Sequence, residues 1–122
     1  MLAFNEERFL DIALSRIIDY ANHIVIVEGA VNGFWKYADD AGSSTDRTNE
    51  ILGEWFYTHP EKMTILHGLW QTKHEMQHEA LRNLPSKTEY LHIVDADEFY
   101  DTTDLIFIKE FLKRKSDRKS VV

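Results

Sequence analysis

The chain has 122 residues, 43% of them hydrophobic and 29% charged, with a formal net charge of −7 and no cysteine. This is the size and composition of one globular domain with its own core, and it excludes a disulfide framework, a thiolate metal site and a cysteine nucleophile. No apolar run approaches the ~18–20 residues of a membrane span, and acids as early as Glu6 and Glu7 are foreign to a signal peptide, so the expected location is cytoplasmic.

The charge is unevenly spread. From Lys109 to Lys119 the chain carries six of its fourteen basic residues beside only Glu110 and Asp117, which leaves eight basic against nineteen acidic residues elsewhere. So acidic a body argues against a nucleic-acid groove. The basic stretch, residues 109–122, reads as a helical tail whose cations suit a helix C-terminus, or as a contact for phosphates or an anionic membrane surface.

In chain order, Leu2-Ala3-Phe4 is a very short apolar strand. Asn5 is placed to cap a helix with Glu6 and Glu7 in its first turn. Leu10, Leu14, Ile17, Ile18 and Ala21 then recur on one helical face. His23–Val27 reads as a buried strand ended by Glu28-Gly29, and residues 30–41 as a loop with Phe34, Trp35 and Tyr37. Gly42-Ser43-Ser44-Thr45-Asp46 is a cluster of turn and capping residues before a helix marked by Ile51, Leu52, Trp55 and Phe56, with Trp55 and Phe56 expected in the core. Met63–His67 is a third strand closed by Gly68, and Met76, Ala80, Leu81 and Leu84 trace a third helix that stops before Pro85. Tyr90–Val94 reads as a fourth strand, and Leu105, Ile108 and Leu112 as a last helix.

The pattern is β-α-β-α-β-α-β-α, an α/β domain with crossovers long enough for a parallel sheet of about four strands and helices on both faces. Three predicted strands end in polar groups on one edge: Asn5-Glu6-Glu7, Glu28-Gly29 and Asp95-Ala96-Asp97. Ligands of open α/β sheets bind outside the carboxyl ends of the strands. Taken alone, Asp95-Ala96-Asp97-Glu98 is either a solvated acidic turn or a divalent-metal site, because clustered carboxylates repel unless a cation neutralises them.

In order and spacing, these pieces resemble glycosyltransferase family 2, nucleotide-sugar transferases with a three-layer, Rossmann-like GT-A fold. The resemblance rests on Asn5-Glu6-Glu7, Glu28, Gly42-Ser43-Ser44-Thr45-Asp46-Arg47-Thr48, Lys73 with Ala80-Leu81, Thr88-Glu89-Tyr90-Leu91, and the D-x-D of Asp95-Ala96-Asp97. It implies that Asp97 binds Mn²⁺ or Mg²⁺, hard cations that take oxygen ligands and also hold diphosphate. Asp95 would serve ribose hydroxyls or the metal, and Glu28 would accept from the base of a UDP- or GDP-sugar. Asn5, Glu7 and Asp46 would border the same pocket, and Lys73 would meet a phosphate or carboxylate. About a dozen residues separate Glu28 from Gly42-Ser43, more than the family has, so Asp39 and Asp40 compete with Glu28 for the base. The family's acceptor half and catalytic base lie beyond the D-x-D, so the chain reads as an incomplete GT-A domain, the donor-binding half.

Two alternatives stand beside this. One is a non-catalytic nucleotide- or metal-binding module completed by a partner chain or a second copy, since a half domain exposes a sheet edge or apolar face. The other is a zinc hydrolase, because His74-Glu75-Met76-Gln77-His78 is literally H-E-x-x-H. The ordinary reading of that stretch is a solvated helix face opposite Met76, Ala80 and Leu84.

Overall fold

The computed structural model describes the backbone of residues 1–120 and the side chains of residues 1–115. Among these the elements are β1 (Leu2–Ala3), α1 (Leu10–Ile17), β2 (Ile24–Glu28), a 3₁₀ turn (Trp35–Tyr37), α2 (Thr48–Thr58), β3 (Met63–His67), α3 (Lys73–Arg82) and α4 (Thr102–Ser120). The three strands form one open parallel sheet in the order β1-β2-β3. Central β2 is buried along its whole length, as its unbroken Ile-Val-Ile-Val run requires when both faces of a parallel sheet are covered.

Alternation along β2 divides the core in two. Ile24 and Ile26 pack with Leu10, Leu14 and Ile17 of α1, Ile51 and Leu52 of α2, and Leu105 of α4. Val27 turns the other way, against Met76 of α3 and Trp70 from the loop before it, with Leu2 and Leu66 beside it. The crossovers β1-α1-β2 and β2-α2-β3 advance in one direction, so right-handed connections put both helices on one face. α3 lies on the opposite face and carries the chain back: Val94 and Ala96 pack in the same cluster as Ala3 of β1.

The expected fourth strand does not form. Residues 89–95 carry no ladder, and Leu91 and Ile93 are 50% and 68% exposed. A strand needs an edge to pair with, and β1 is two residues long before Asn5 bends the chain at φ 50°. Only Val94 of this stretch is buried, with Ala96 just beyond it. The expected cap on α1 is also absent: α1 begins at Leu10 behind an uncapped Phe9, and Asn5 is engaged elsewhere. In α2, Trp55 packs on the core and its indole donates to Asp11 of α1 (2.8 Å), whereas Phe56, expected inside, is 42% exposed.

The basic stretch expected over 109–122 is helical as far as Ser120; residues 121–122 lie outside the described residues. Among the described residues no helix is long and apolar enough to cross a membrane.

Candidate functional site

Two segments distant in sequence clasp each other at the carboxyl edge of the sheet. Asn5 sits in the left-handed region, which Asn tolerates better than most residues. Its Oδ1 accepts from the backbone N–H of Thr45 (2.9 Å) and of Asp46 (3.4 Å), while its own N–H donates to Ser44 Oγ (3.0 Å). The next two amides continue the pattern, Glu6 to Thr48 Oγ1 (2.8 Å) and Glu7 to Asp46 Oδ2 (3.1 Å). Asp46 also accepts from the Thr48 N–H (2.9 Å) through Oδ1, an Asx-type turn that starts α2. The short polar side chains of 44–48 thus satisfy the amides that the chain exposes as it leaves β1.

Glu28 fastens this clasp to β2. Its side chain is fully buried; Oε2 accepts from both the N–H and the Oγ of Ser44 (2.7 Å each), and Oε1 lies 2.8 Å from His67 Nδ1. Both oxygens are therefore taken by the protein itself. The inserted loop is pinned too: Trp35 Nε1 donates to Trp70 O (2.9 Å), and Asp39 Oδ1 accepts from the N–H of Ala41 and Ser43. Trp70 is a core plug whose indole donates to Glu28 O (3.1 Å). Phe34 and Tyr37 remain more than half exposed on the insertion, and Asp40 is exposed.

Asp95 and Asp97 lie on a turn between buried neighbours, with Val94 and Ala96 inside and both carboxylates in solvent. The turn is closed by Glu98 N–H to Asp95 O (3.0 Å) and by Asp95 N–H to Glu98 Oε1 (2.8 Å). Glu6 reports what surrounds it. Its carboxyl is pushed above the usual carboxylate range, first by partial burial and then by the negative charges of Asp97, Asp46 and Asp95, with Lys73 pulling the other way. Residues from four separate segments therefore share one electrostatic neighbourhood. Among the described residues no three His, Asp or Glu side chains converge as a ready-made set of metal ligands. The mutual repulsion at Glu6 is nevertheless the kind that a hard cation relieves.

Glu6 is the residue that sequence reasoning missed. Glu6 and Glu7 are adjacent in the stretch that carries the resemblance, and the resemblance assigns Glu7 to the pocket. Glu7 is exposed, whereas Glu6 is half-buried and within electrostatic reach of Asp95 and Asp97. A raised folded-state pKa means that stability from protonated Glu6 is full below the ordinary carboxylate range and is lost as pH rises through the raised value. Glu6→Gln is therefore expected to raise the urea midpoint at pH 7–8, with the gain shrinking as pH falls through the raised value and gone by about pH 4. A gain of equal size at both pH values would contradict this picture.

No family model, no curated protein and no solved structure matches this chain.

The H-E-x-x-H stretch does other work. Thr72 caps α3 by accepting from the Glu75 N–H (3.1 Å), and Glu75 Oε2 accepts from the Gln71 N–H (2.8 Å), close to a capping box. Met76 is buried, while His74, Glu75 and His78 are exposed.

Proposed function

We propose that the chain binds a UDP- or GDP-sugar together with Mn²⁺ or Mg²⁺, as the donor-binding half of a family 2-type, Rossmann-like GT-A glycosyltransferase. The observation that carries this reading is that Asp46, Asp95, Asp97 and Lys73, from three other segments, all act on Glu6, which follows β1 at the carboxyl edge of the parallel sheet.

In this reading Asp97 holds the cation, Asp95 takes a ribose hydroxyl or helps with the cation, and Lys73 meets the diphosphate. The cation supplies charge neutralisation of the diphosphate, which stabilises it as a leaving group. Glu28 acts indirectly, by holding Ser44 and hence the clasp of Asn5, Thr45 and Asp46 in place. Phe34 and Tyr37 are the exposed rings available to stack on the base. Asp40, exposed and not tied down like Asp39, is the remaining acid of the insertion that a base could meet.

Asp97→Ala is expected to weaken Mn²⁺-dependent UDP binding by at least about tenfold, with little change in folding stability because the side chain is exposed. Equilibrium dialysis with labelled UDP, with and without Mn²⁺, reads the effect. Equal affinity of variant and parent would remove Asp97 from the site.

A further inference from the structure

The turn that carries Asp95 and Asp97 is tied into a longer chain of side chains. Glu98 Oε1 holds the Asp95 N–H, and Glu98 Oε2 accepts from the Tyr100 hydroxyl at 2.7 Å. With its proton given to Glu98, the Tyr100 oxygen is left to accept from His92 Nε2, 3.1 Å away. His92 Nδ1 pairs with the Tyr20 hydroxyl, also at 3.1 Å. Ring packing follows the same path: His92 meets Tyr20 edge-on at 5.7 Å and 82°, and Tyr100 at 5.1 Å and 79°.

Both ends of this chain are anchored. Tyr20 and Tyr100 pack against the main core. Tyr20 follows α1 in sequence, and its carbonyl accepts from Lys109 Nζ of α4 (3.0 Å). The Tyr100 phenol is pushed up to about 12, chiefly by its bond to Glu98. The bonded path therefore runs from α1 and α4, through His92, to the backbone amide of the first D-x-D residue.

We propose that His92 is a positioning residue for the Asp95–Asp97 turn, holding it through Tyr100 and Glu98 in the conformation that receives the cation and diphosphate. The role rests on the reading of that turn as the donor site. His92 touches neither ligand. Its effect is to order in advance a turn that would otherwise lose freedom on binding, the same cost that outer-shell partners of metal ligands remove. Residues 91–95 have no ladder to do this for them.

The test uses the whole chain with His92→Leu, His92→Gln and Tyr100→Phe, each checked for its fold by circular dichroism. Gln is the conservative variant, because its amide nitrogen and oxygen can hydrogen-bond Tyr100 and Tyr20. Two signals are read: the ¹H–¹⁵N resonance of the Asp95 amide, which a carboxylate acceptor shifts downfield, and UDP affinity in the presence of Mn²⁺. His92→Leu and Tyr100→Phe are expected to move the Asp95 amide upfield and to weaken UDP binding by about tenfold, while His92→Gln stays within about twofold of the parent.

An Asp95 amide unmoved in His92→Leu overturns the proposal, and so does a moved amide with unchanged UDP affinity. A parent chain that binds no UDP with Mn²⁺ overturns the proposed function and takes this role with it. Binding by the parent therefore separates the two failures.

Discussion

Glu28→Ala is expected to lower the unfolding free energy by about 3 kcal/mol, with urea denaturation at pH 7 as the measurement. The size follows from what the side chain satisfies. Truncation leaves the buried Ser44 N–H without an acceptor, frees the Ser44 hydroxyl, removes the partner of His67 Nδ1 and opens space under the loop. A buried donor left unpaired costs about 1–3 kcal/mol by itself. Glu28→Gln keeps the volume and one acceptor, so about 1 kcal/mol is expected. The damage spreads outward, because Ser44 also accepts from the Asn5 N–H and the neighbouring amides of Thr45 and Asp46 rest on Asn5 Oδ1. Under the proposed function, UDP binding weakens in both variants although Glu28 is shut off from solvent. A Glu28→Ala protein as stable as its parent would show that the clasp does not depend on this carboxyl.

Gly29→Ala should do more harm still. Gly29 has φ 136°, outside the range that residues with a Cβ adopt comfortably. A Cβ there would lie 2.0 Å from the carbonyl oxygen of Gly68 and 2.8 Å from Trp70 Nε1. The first obstacle is backbone and cannot swing aside. Relief requires the ends of β2 and β3 to part, which breaks Gly68 N–H to Glu28 O and Trp70 Nε1–H to Glu28 O, both 3.1 Å. A cost above about 4 kcal/mol is expected, comparable with the whole stability of a small domain. The variant should be largely unfolded at 25 °C by circular dichroism. Gly53→Ala is the contrast: that glycine is exposed in α2 with nothing within 4 Å of the added methyl. It should gain about 0.5–1 kcal/mol from helix propensity alone. Similar stabilities for the two variants would refute the argument from close approach.

β2, β3 and α3 were readable in the amino-acid sequence for a simple reason. Continuous apolar runs bounded by Glu28-Gly29 and Gly68 suit a doubly covered sheet, and Met76 with Ala80 marks a helix by spacing. The fourth strand failed because a local pattern carries no information about the partner edge. Tyr90–Val94 looks apolar enough, but β1 ends after two residues and leaves Leu91 and Ile93 in solvent. Asn5 misled for a related reason: a residue suited to an N-cap was used instead as a left-handed bend that binds a loop some forty positions away.

The candidate site was legible as a set of segments and less so as individual side chains. Asn5, Glu28 and Asp95-Ala96-Asp97 were expected on one edge from strand ends, and Asp46 and Lys73 were added by the resemblance; Asn5 bonds the Asp46 amide, and Asp46, Lys73, Asp95 and Asp97 all act on Glu6. Which acid faces inward did not follow. Glu6 and Glu7 are adjacent and chemically alike, and only the backbone turn separates them. Glu28 likewise looks like a ligand-binding acid at a strand end until Ser44, sixteen residues on, claims one of its oxygens.

The central claim is that the repulsion gathered around Glu6 and the D-x-D is met by a divalent cation shared with a nucleotide diphosphate. Calorimetric titration of the parent chain with UDP or GDP, in Mn²⁺ and then in excess chelator, tests this most directly. The expected result is stoichiometric binding of one of the two nucleotides in Mn²⁺ and its loss in chelator. Binding of neither nucleotide in Mn²⁺, or binding of equal strength with the metal removed, would contradict it.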